Sequence, residues 1–228
     1  MSKLMAVLFD LDGTLINTND LIIASFQHTL NTCLGRQVSR AEVEATFGEP
    51  LHQTMLGYAA GDRAVAEEMV AVYRAFNSSN HDAMTTSFPG VVEGIGQLYA
   101  AGVRLAVVTS KYTQMALRGL RLFGLDAFME TVVGMDHVSH HKPDPEACLL
   151  ALARLGVAGG QEVAMVGDST LDLEAGRRAG LRTIAVGWSA LDHGRLAAEE
   201  PSYWASSFDD LVVYCLDSPP AASVRPGA

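Results

Sequence analysis

Cysteine is scarce in this chain of 228 residues: only Cys33, Cys148 and Cys215 occur. Their number is odd, their spacing is wide and no CxxC is present. A disulfide framework or a zinc site is therefore not expected, and reduced thiols in a cytoplasmic protein are. Long apolar runs are lacking as well. The run inside MSKLMAVLFDLDG is too short to span a bilayer or to form the core of a signal peptide, and it ends in two aspartates. Positive charge is also in short supply. Lys and Arg total 16 against 26 Asp and Glu, a formal net charge of −10, and no basic run appears. Nucleic-acid binding normally needs a basic face that displaces counterions, so neither nucleic acid nor an anionic membrane is an expected partner. An acidic chain that handles an anion must concentrate positive charge locally, which directs attention to single lysines and to metal ions.

What the sequence does contain is a regular alternation. With 49% hydrophobic and 18% charged residues, the composition is that of a globular protein. Uninterrupted apolar runs at Met5 to Phe9, Leu105 to Val108, Val163 to Val166 and Thr183 to Val186, and a shorter one at Thr131 to Val133, read as strands buried on both faces of a parallel sheet. Helical stretches lie between them at Val91 to Ala101, Thr113 to Phe123, Pro145 to Leu155 and Leu171 to Ala179. Gly102, Gly124, Gly156 and Gly180 follow these stretches, where left-handed helix ends are expected. The alternation predicts an α/β fold with a doubly wound, Rossmann-like and mostly parallel sheet.

One region breaks this rhythm. Between about Ile16 and Ser87 no buried-strand run appears, and Leu21 to Leu34, Arg40 to Phe47, His52 to Tyr58 and Arg63 to Asn77 all read as helices. They could cover the sheet, but their length between the first and second strands favours an inserted all-helical cap. The expected organisation is a core of 1–15 and 88–217, a cap of 16–87, and a disordered tail of 218–228 rich in Pro, Ser, Ala and Gly.

Ligands of open α/β sheets bind beyond the carboxyl ends of the strands, so the residues there carry the functional reading. Asp10 and Asp12 leave the first strand at positions i and i+2, which point to one side. Two close carboxylates repel unless a cation lies between them, and Mg²⁺ is a hard, oxygen-seeking candidate. One carboxylate of such a pair can be a nucleophile while the other moves a proton. Gly13 permits a sharp turn whose amides could face a phosphate. After the second strand stand Thr109, Ser110 and Lys111. A hydroxyl there could donate to a phosphate oxygen or cap the next helix. Lys142, in His140-His141-Lys142-Pro143-Asp144-Pro145, is a point charge suited to phosphate oxygens; Asp144 and Pro145 suit the cap and first turn of a helix, and the two histidines read as loop residues. Asp168 and Asp172, in GDSTLD, follow the fourth strand. Asp172 suits a metal or merely the dipole of its helix.

The ordered set DLDGT, TSK, KPDP and GDSTLD resembles the haloacid dehalogenase-like phosphohydrolase superfamily over about two-thirds of the chain. The resemblance implies Asp10 as nucleophile, Asp12 as general acid/base, Thr109 with Ser110 as phosphate ligands, and Lys142 as the neutraliser of the phosphate and Asp10. It implies Mg²⁺ held by the Asp10 side chain, the Asp12 backbone carbonyl and Asp168, with Asp172 in support. Dehalogenases of the superfamily lack an aspartate at the position of Asp12, so phosphate chemistry is the implied activity. The helical insertion resembles the cap of the subgroup with phosphoglycolate phosphatases and β-phosphoglucomutases. The stretches INTNDLIIASF and YRAFN further resemble the inorganic pyrophosphatases of this superfamily, although many relatives carry Asp where Asn17 stands.

The implied function is Mg²⁺-dependent hydrolysis of pyrophosphate through an aspartyl-phosphate. Hydrolysis of phosphoglycolate or other small phosphate monoesters is the enzymatic alternative, a mutase is a further one, and a non-catalytic phosphate sensor is the alternative from another class. Arg74, Asn77, His52, Arg63 and the Phe47-Gly48-Glu49-Pro50 loop are cap candidates for gripping the substrate.

Overall fold

The first apolar run folds as strand β1 (Ala6–Phe9), all four residues buried, in the computed structural model, which describes residues 3–47 and 49–217. The tail expected to be disordered, 218–228, and Gly48 lie outside the described residues. By its internal contacts the chain forms two units, one from Thr18 to Thr86 and the other from the segments that flank it.

The flanking unit contains β1 and a two-residue strand, β2 (Ile16–Asn17). The helical unit follows, with α1 (Asn19–Leu34), α2 (Arg40–Glu44), α3 (Leu51–Tyr58) and α4 (Arg63–Met84). A second two-residue strand, β3 (Thr86–Ser87), ends it. The chain then runs through α5 (Val91–Ala100), β4 (Arg104–Val108), α6 (Thr113–Leu122), β5 (Thr131–Val133), α7 (Glu146–Leu155), β6 (Val163–Gly167), α8 (Thr170–Arg178), β7 (Arg182–Val186), α9 (His193–Ala198), β8 (Tyr203–Ala205) and α10 (Phe208–Leu216).

Six strands form one sheet in the order β5-β4-β1-β6-β7-β8, and every pairing is parallel. The chain builds outward from β1 to one edge through β4 and β5, then returns to build the other through β6, β7 and β8. The order thus reverses at β1, and such switch points are where open α/β sheets bind ligands. Both faces of β1 are covered. Val7 and Phe9 pack with Ile95 and Leu98 of α5, Leu120 of α6 and Phe208 of α10. Ala6 and Leu8 pack on the opposite side with Cys148, Ala151 and Leu155 of α7 and Ala175 of α8. Burial on both faces is why the strand sequences are continuous rather than alternating in polarity. Gly102, Gly124, Gly156 and Gly180 all adopt positive φ just past the helices they follow, as expected.

The helical unit has its own core, built from Ile23, Phe26 and Leu30 of α1, Met55 of α3 and Ala66, Met69 and Val70 of α4. Phe26 meets the Tyr73 ring edge-on at 5.1 Å between centroids. Helix α4 runs to Met84, seven residues past the end expected from its sequence. The Asn77-Ser78-Ser79-Asn80 stretch is poor in helix formers. A tertiary bond from Asn77 Nδ2 to Ser25 Oγ at 3.2 Å and a bond within the helix from Asn80 Nδ2 to Phe76 O at 2.8 Å hold it in place.

The sequence reading also missed β8 and α10. Tyr203-Trp204-Ala205 lacks the β-branched run that marks the equally short edge strand β5, and it is recognisable as a strand only through its pairing with Ile184, Ala185 and Val186.

Candidate active site

Asp10 is the first residue beyond β1. Its backbone N–H donates to Val166 O of the neighbouring β6 at 2.9 Å, which anchors it at the carboxyl edge of the sheet. The turn that follows is closed by Gly13 N–H to Ile16 O at 2.9 Å and Leu15 N–H to Leu11 O at 2.9 Å. Gly13 adopts φ +80°, and a Cβ there would lie 2.2 Å from Asp168 Oδ2. A second glycine makes the same kind of room: a Cβ on Gly167 would lie 2.2 Å from Asp172 Cβ. Both carboxylates approach the sheet edge because the backbone beside them has no side chain.

Lys142 reaches this edge from the loop before α7. Its ammonium donates to Asp10 Oδ1 at 2.6 Å, Asp172 Oδ1 at 2.5 Å and Val108 O at 3.3 Å. These three acceptors engage all three of its N–H donors, and the side chain is 5% exposed. Burial works against its charge, but the facing carboxylates Asp10 and Asp172 outweigh burial and raise its pKa.

Asp172 serves two partners. Ser169 Oγ donates to Asp172 Oδ2 at 2.6 Å and the Asp172 N–H donates back to Ser169 Oγ at 3.3 Å, a reciprocal cap at the start of α8. Its other oxygen faces Lys142. The two readings of this residue, helix cap and site ligand, are therefore compatible.

Asp10, Asp168 and Asp172 each direct a carboxylate oxygen into one cluster, all within 4.8 Å of one another. Burial is the main cause that raises Asp10 to about 7, with Asp172 and Asp12 adding repulsion against the pull of Lys142. Burial, then repulsion from Asp10 and Asp172, also raises the half-buried Asp168 well above the usual carboxylate range. Three clustered carboxylates, two of them held by a single buried ammonium, form a set able to bind a metal ion; the hard carboxylate donors suit a hard divalent cation.

The Asp12 carboxylate is outside this triad. Lys111 Nζ donates to Asp12 Oδ1 at 2.6 Å. Nothing in TSK shows that the Lys111 side chain turns back to the β1 loop, so this contact has no local signal in the sequence. Thr109 is buried and Ser110 exposed. Neither caps α6: the Thr109 hydroxyl accepts the Lys111 N–H at 3.1 Å, and the end of α6 is held by Asp136, which accepts the Thr113 N–H at 2.7 Å.

Asp144 accepts the Glu146 N–H at 3.0 Å, but α7 begins at Glu146 with Pro145 at its N-cap, one position later than expected. His140 lies 2.9 Å from Glu146 Oε2 through Nδ1. It forms a second acidic group with Glu146 and Asp144, but Glu146 already accepts the Ser139 and His140 N–H groups, which folds the loop. In the helical unit His52, Arg63 and Arg74 are exposed, while Asn77 is bonded to Ser25.

A family model described as haloacid dehalogenase-like hydrolase matches residues 7–186. The chain belongs to that family and is a hydrolase. A protein from Bacillus velezensis described as "Pyrophosphatase PpaX" is 43% identical over 210 residues, covering 92% of this chain and 95% of the relative. Its counterpart from Anoxybacillus flavithermus is 42% identical over 90% of this chain and 94% of its own. Among solved structures, a predicted phosphatase from Clostridium acetobutylicum superposes with a TM-score of 0.82 at 25% identity, covering 95% of this chain and all of that one. A predicted phosphoglycolate phosphatase from Haemophilus somnus gives 0.85 at 24% identity, covering 93% and 98%, a likeness of fold.

Proposed function

We propose that this hydrolase is a Mg²⁺-dependent pyrophosphatase that works through an aspartyl-phosphate on Asp10. The observation that carries the reading is the buried contact of Lys142 with both Asp10 and Asp172, beside Asp168, at the switch point of the sheet. The extended similarity to pyrophosphatases at more than 40% identity supports the choice of substrate.

Asp10, Asp168 and Asp172, with the Asp12 backbone carbonyl, would hold Mg²⁺, which when bound supplies positive charge to the phosphate oxygens and to Asp10. A carboxylate oxygen of Asp10 attacks phosphorus as the bond to the leaving oxygen breaks, and Asp12 protonates that oxygen. Asp12 then takes a proton from water, the water oxygen attacks the aspartyl-phosphate, and phosphate leaves with Asp10 restored. Lys142 holds Asp10 in position and offsets the repulsion between its carboxylate and the incoming anion. Thr109 and Ser110 would contribute hydroxyls to the transferring phosphate, and the Gly13 turn its amides. The unit Thr18–Thr86 is proposed as the cap that selects the substrate and excludes water.

The partner is a small phosphorylated molecule, with no role for nucleic acid or membrane. No helix among the described residues is long and apolar enough to cross a membrane. Together with the free thiols of Cys33, Cys148 and Cys215, this fits the cytoplasmic setting that we also propose.

Phosphate release from pyrophosphate, phosphoglycolate, β-glucose 1-phosphate and p-nitrophenyl phosphate, with and without Mg²⁺, tests the reading. Preference for pyrophosphate by about tenfold in kcat/KM, one step of 1.4 kcal/mol, supports it. Preference for phosphoglycolate retains a phosphohydrolase of different specificity. Absence of metal-dependent release from all four favours a non-catalytic phosphate sensor. Asp10→Ala is expected to abolish steady-state turnover, and substantial residual activity would remove Asp10 as nucleophile.

A further inference from the structure

We propose that Lys111 is a specificity-determining residue that binds the leaving group, selecting substrates whose leaving group carries its own negative charge. This deepens the function proposed above and rests on the assignment of Asp12 as the acid that protonates the leaving oxygen.

Two cations touch the carboxylates at this edge of the sheet, and they are not equivalent. Lys142 is buried, and its three donors are spent on Asp10, Asp172 and Val108. It serves the nucleophile and has no donor to spare. Lys111 is 25% exposed and meets Asp12, itself 23% exposed, at 2.6 Å. Its ammonium has three donors, of which Asp12 Oδ1 takes one, and its exposed face allows a second anion to approach.

The lysine is also held in place. Its N–H donates to Thr109 Oγ1 at 3.1 Å and its carbonyl accepts the Met135 N–H at 2.9 Å. Its backbone is thus fixed on both sides of the side chain, beside the hydroxyl proposed to bind the transferring phosphate. A cation in contact with Asp12 lies on the leaving-group side of the reaction, because Asp12 must touch the leaving oxygen to protonate it.

Charge counting leads to the same place. Four carboxylates, Asp10, Asp12, Asp168 and Asp172, face two ammonium groups. With Asp12 holding the proton that it gives to the leaving oxygen, the other three carboxylates and the two ammonium groups leave one formal negative charge, which a divalent cation turns into one positive charge. Without Lys111 the loaded site would lose that positive charge where a second phosphate must bind. A neutral leaving group would not register that loss, whereas the second phosphate of pyrophosphate would.

The experiment compares wild type, Lys111→Met and Lys111→Arg at saturating Mg²⁺, using kcat/KM for pyrophosphate and for p-nitrophenyl phosphate, whose leaving group is uncharged until the bond breaks. Lys111→Met is expected to lower the pyrophosphate to p-nitrophenyl phosphate ratio by about tenfold or more, the scale of one lost charge-assisted hydrogen bond, while Lys111→Arg keeps the ratio near wild type. Equal losses on both substrates would reduce Lys111 to a support for Asp12 and overturn the proposal, as would an unchanged ratio. Thermal midpoints of both variants check that each folds. If wild type fails on pyrophosphate, the pyrophosphatase reading falls separately. The same variants are then compared on phosphoglycolate, with an anionic leaving group, and β-glucose 1-phosphate, with a neutral one. Loss of discrimination in Lys111→Met supports the role of Lys111, and retained discrimination overturns it.

Discussion

A Cβ placed on Gly13 would stand 2.2 Å from Asp168 Oδ2. The turn after β1 and the carboxylate after β6 therefore share one space, although 155 positions separate the two residues in sequence. Gly13→Ala has two consequences. The residue would sit at φ +80°, a conformation that costs a non-glycine residue about 1–2 kcal/mol. It would also push Asp168 out of the acidic cluster. The expected outcome is a modest fall in thermal midpoint with a disproportionate loss of Mg²⁺ affinity, checked by calorimetric titration. Metal affinity equal to wild type would show that Asp168 is not needed for the ion.

Asp12 gives a sharper separation of chemistry from architecture. Its carboxylate is partly exposed, pairs with Lys111 and lies outside the Asp10, Asp168 and Asp172 cluster. Asp12→Asn is expected to slow turnover by about 10²–10⁴-fold, the range for general acid/base catalysis, with the fold and Mg²⁺ binding retained. Steady-state kinetics beside a thermal melt checks this, and near-normal turnover would reassign the proton transfer.

The metal-free protein should lose stability as pH rises. Asp10, raised to about 7, and Asp168, also raised, bind protons more tightly folded than unfolded. The contribution of Asp10 is fully present below the unfolded value near 4 and is lost as pH climbs through about 7, and that of Asp168 declines with pH in the same direction. Denaturant melts in EDTA at pH 5 and pH 8 are expected to show the decline. Because binding to carboxylates displaces protons, added Mg²⁺ should raise the midpoint more at pH 8 than at pH 5. Equal effects of Mg²⁺ at both pH values would argue against this cluster as the binding site.

Ser169 has no proposed chemistry, yet it fixes one oxygen of Asp172 while Lys142 holds the other. Ser169→Ala removes the hydroxyl cap of α8, worth about 1 kcal/mol, and leaves Asp172 Oδ2 with only the backbone N–H of residue 169, at 3.1 Å, as its partner there. Mg²⁺ affinity is expected to fall about 10–100-fold, as it does when outer partners of metal ligands are lost. Titration of the variant checks this; a loss of stability alone would confine Ser169 to the helix end.

Much of this was legible in the chain itself, and the exceptions share a cause. Continuous apolar runs identified β1, β4, β6 and β7 because strands buried on both faces need no polar alternation. Polar residues directly after such runs identified Asp10, Asp12, Thr109 and Asp168. Edge strand β8 was illegible because Tyr203-Trp204-Ala205 lacks the β-branched run that marks the equally short β5. The last turns of α4 were illegible because an Asn and Ser stretch reads as a helix end until Ser25 binds Asn77. The pairing of Lys111 with Asp12 was invisible because it joins two loops 99 positions apart.

The sequence by itself determined the α/β alternation, the helical insertion and the residue types at the strand ends, since burial and turn chemistry act over a few neighbouring positions. The tertiary structure alone decided which charges meet. It set Lys142 between Asp10 and Asp172, kept Asp12 apart with Lys111, and let Gly13 and Gly167 open the space for two carboxylates. Those contacts depend on the strand order β4-β1-β6, which brings distant loops to one edge, and no local pattern encodes a distance across a sheet.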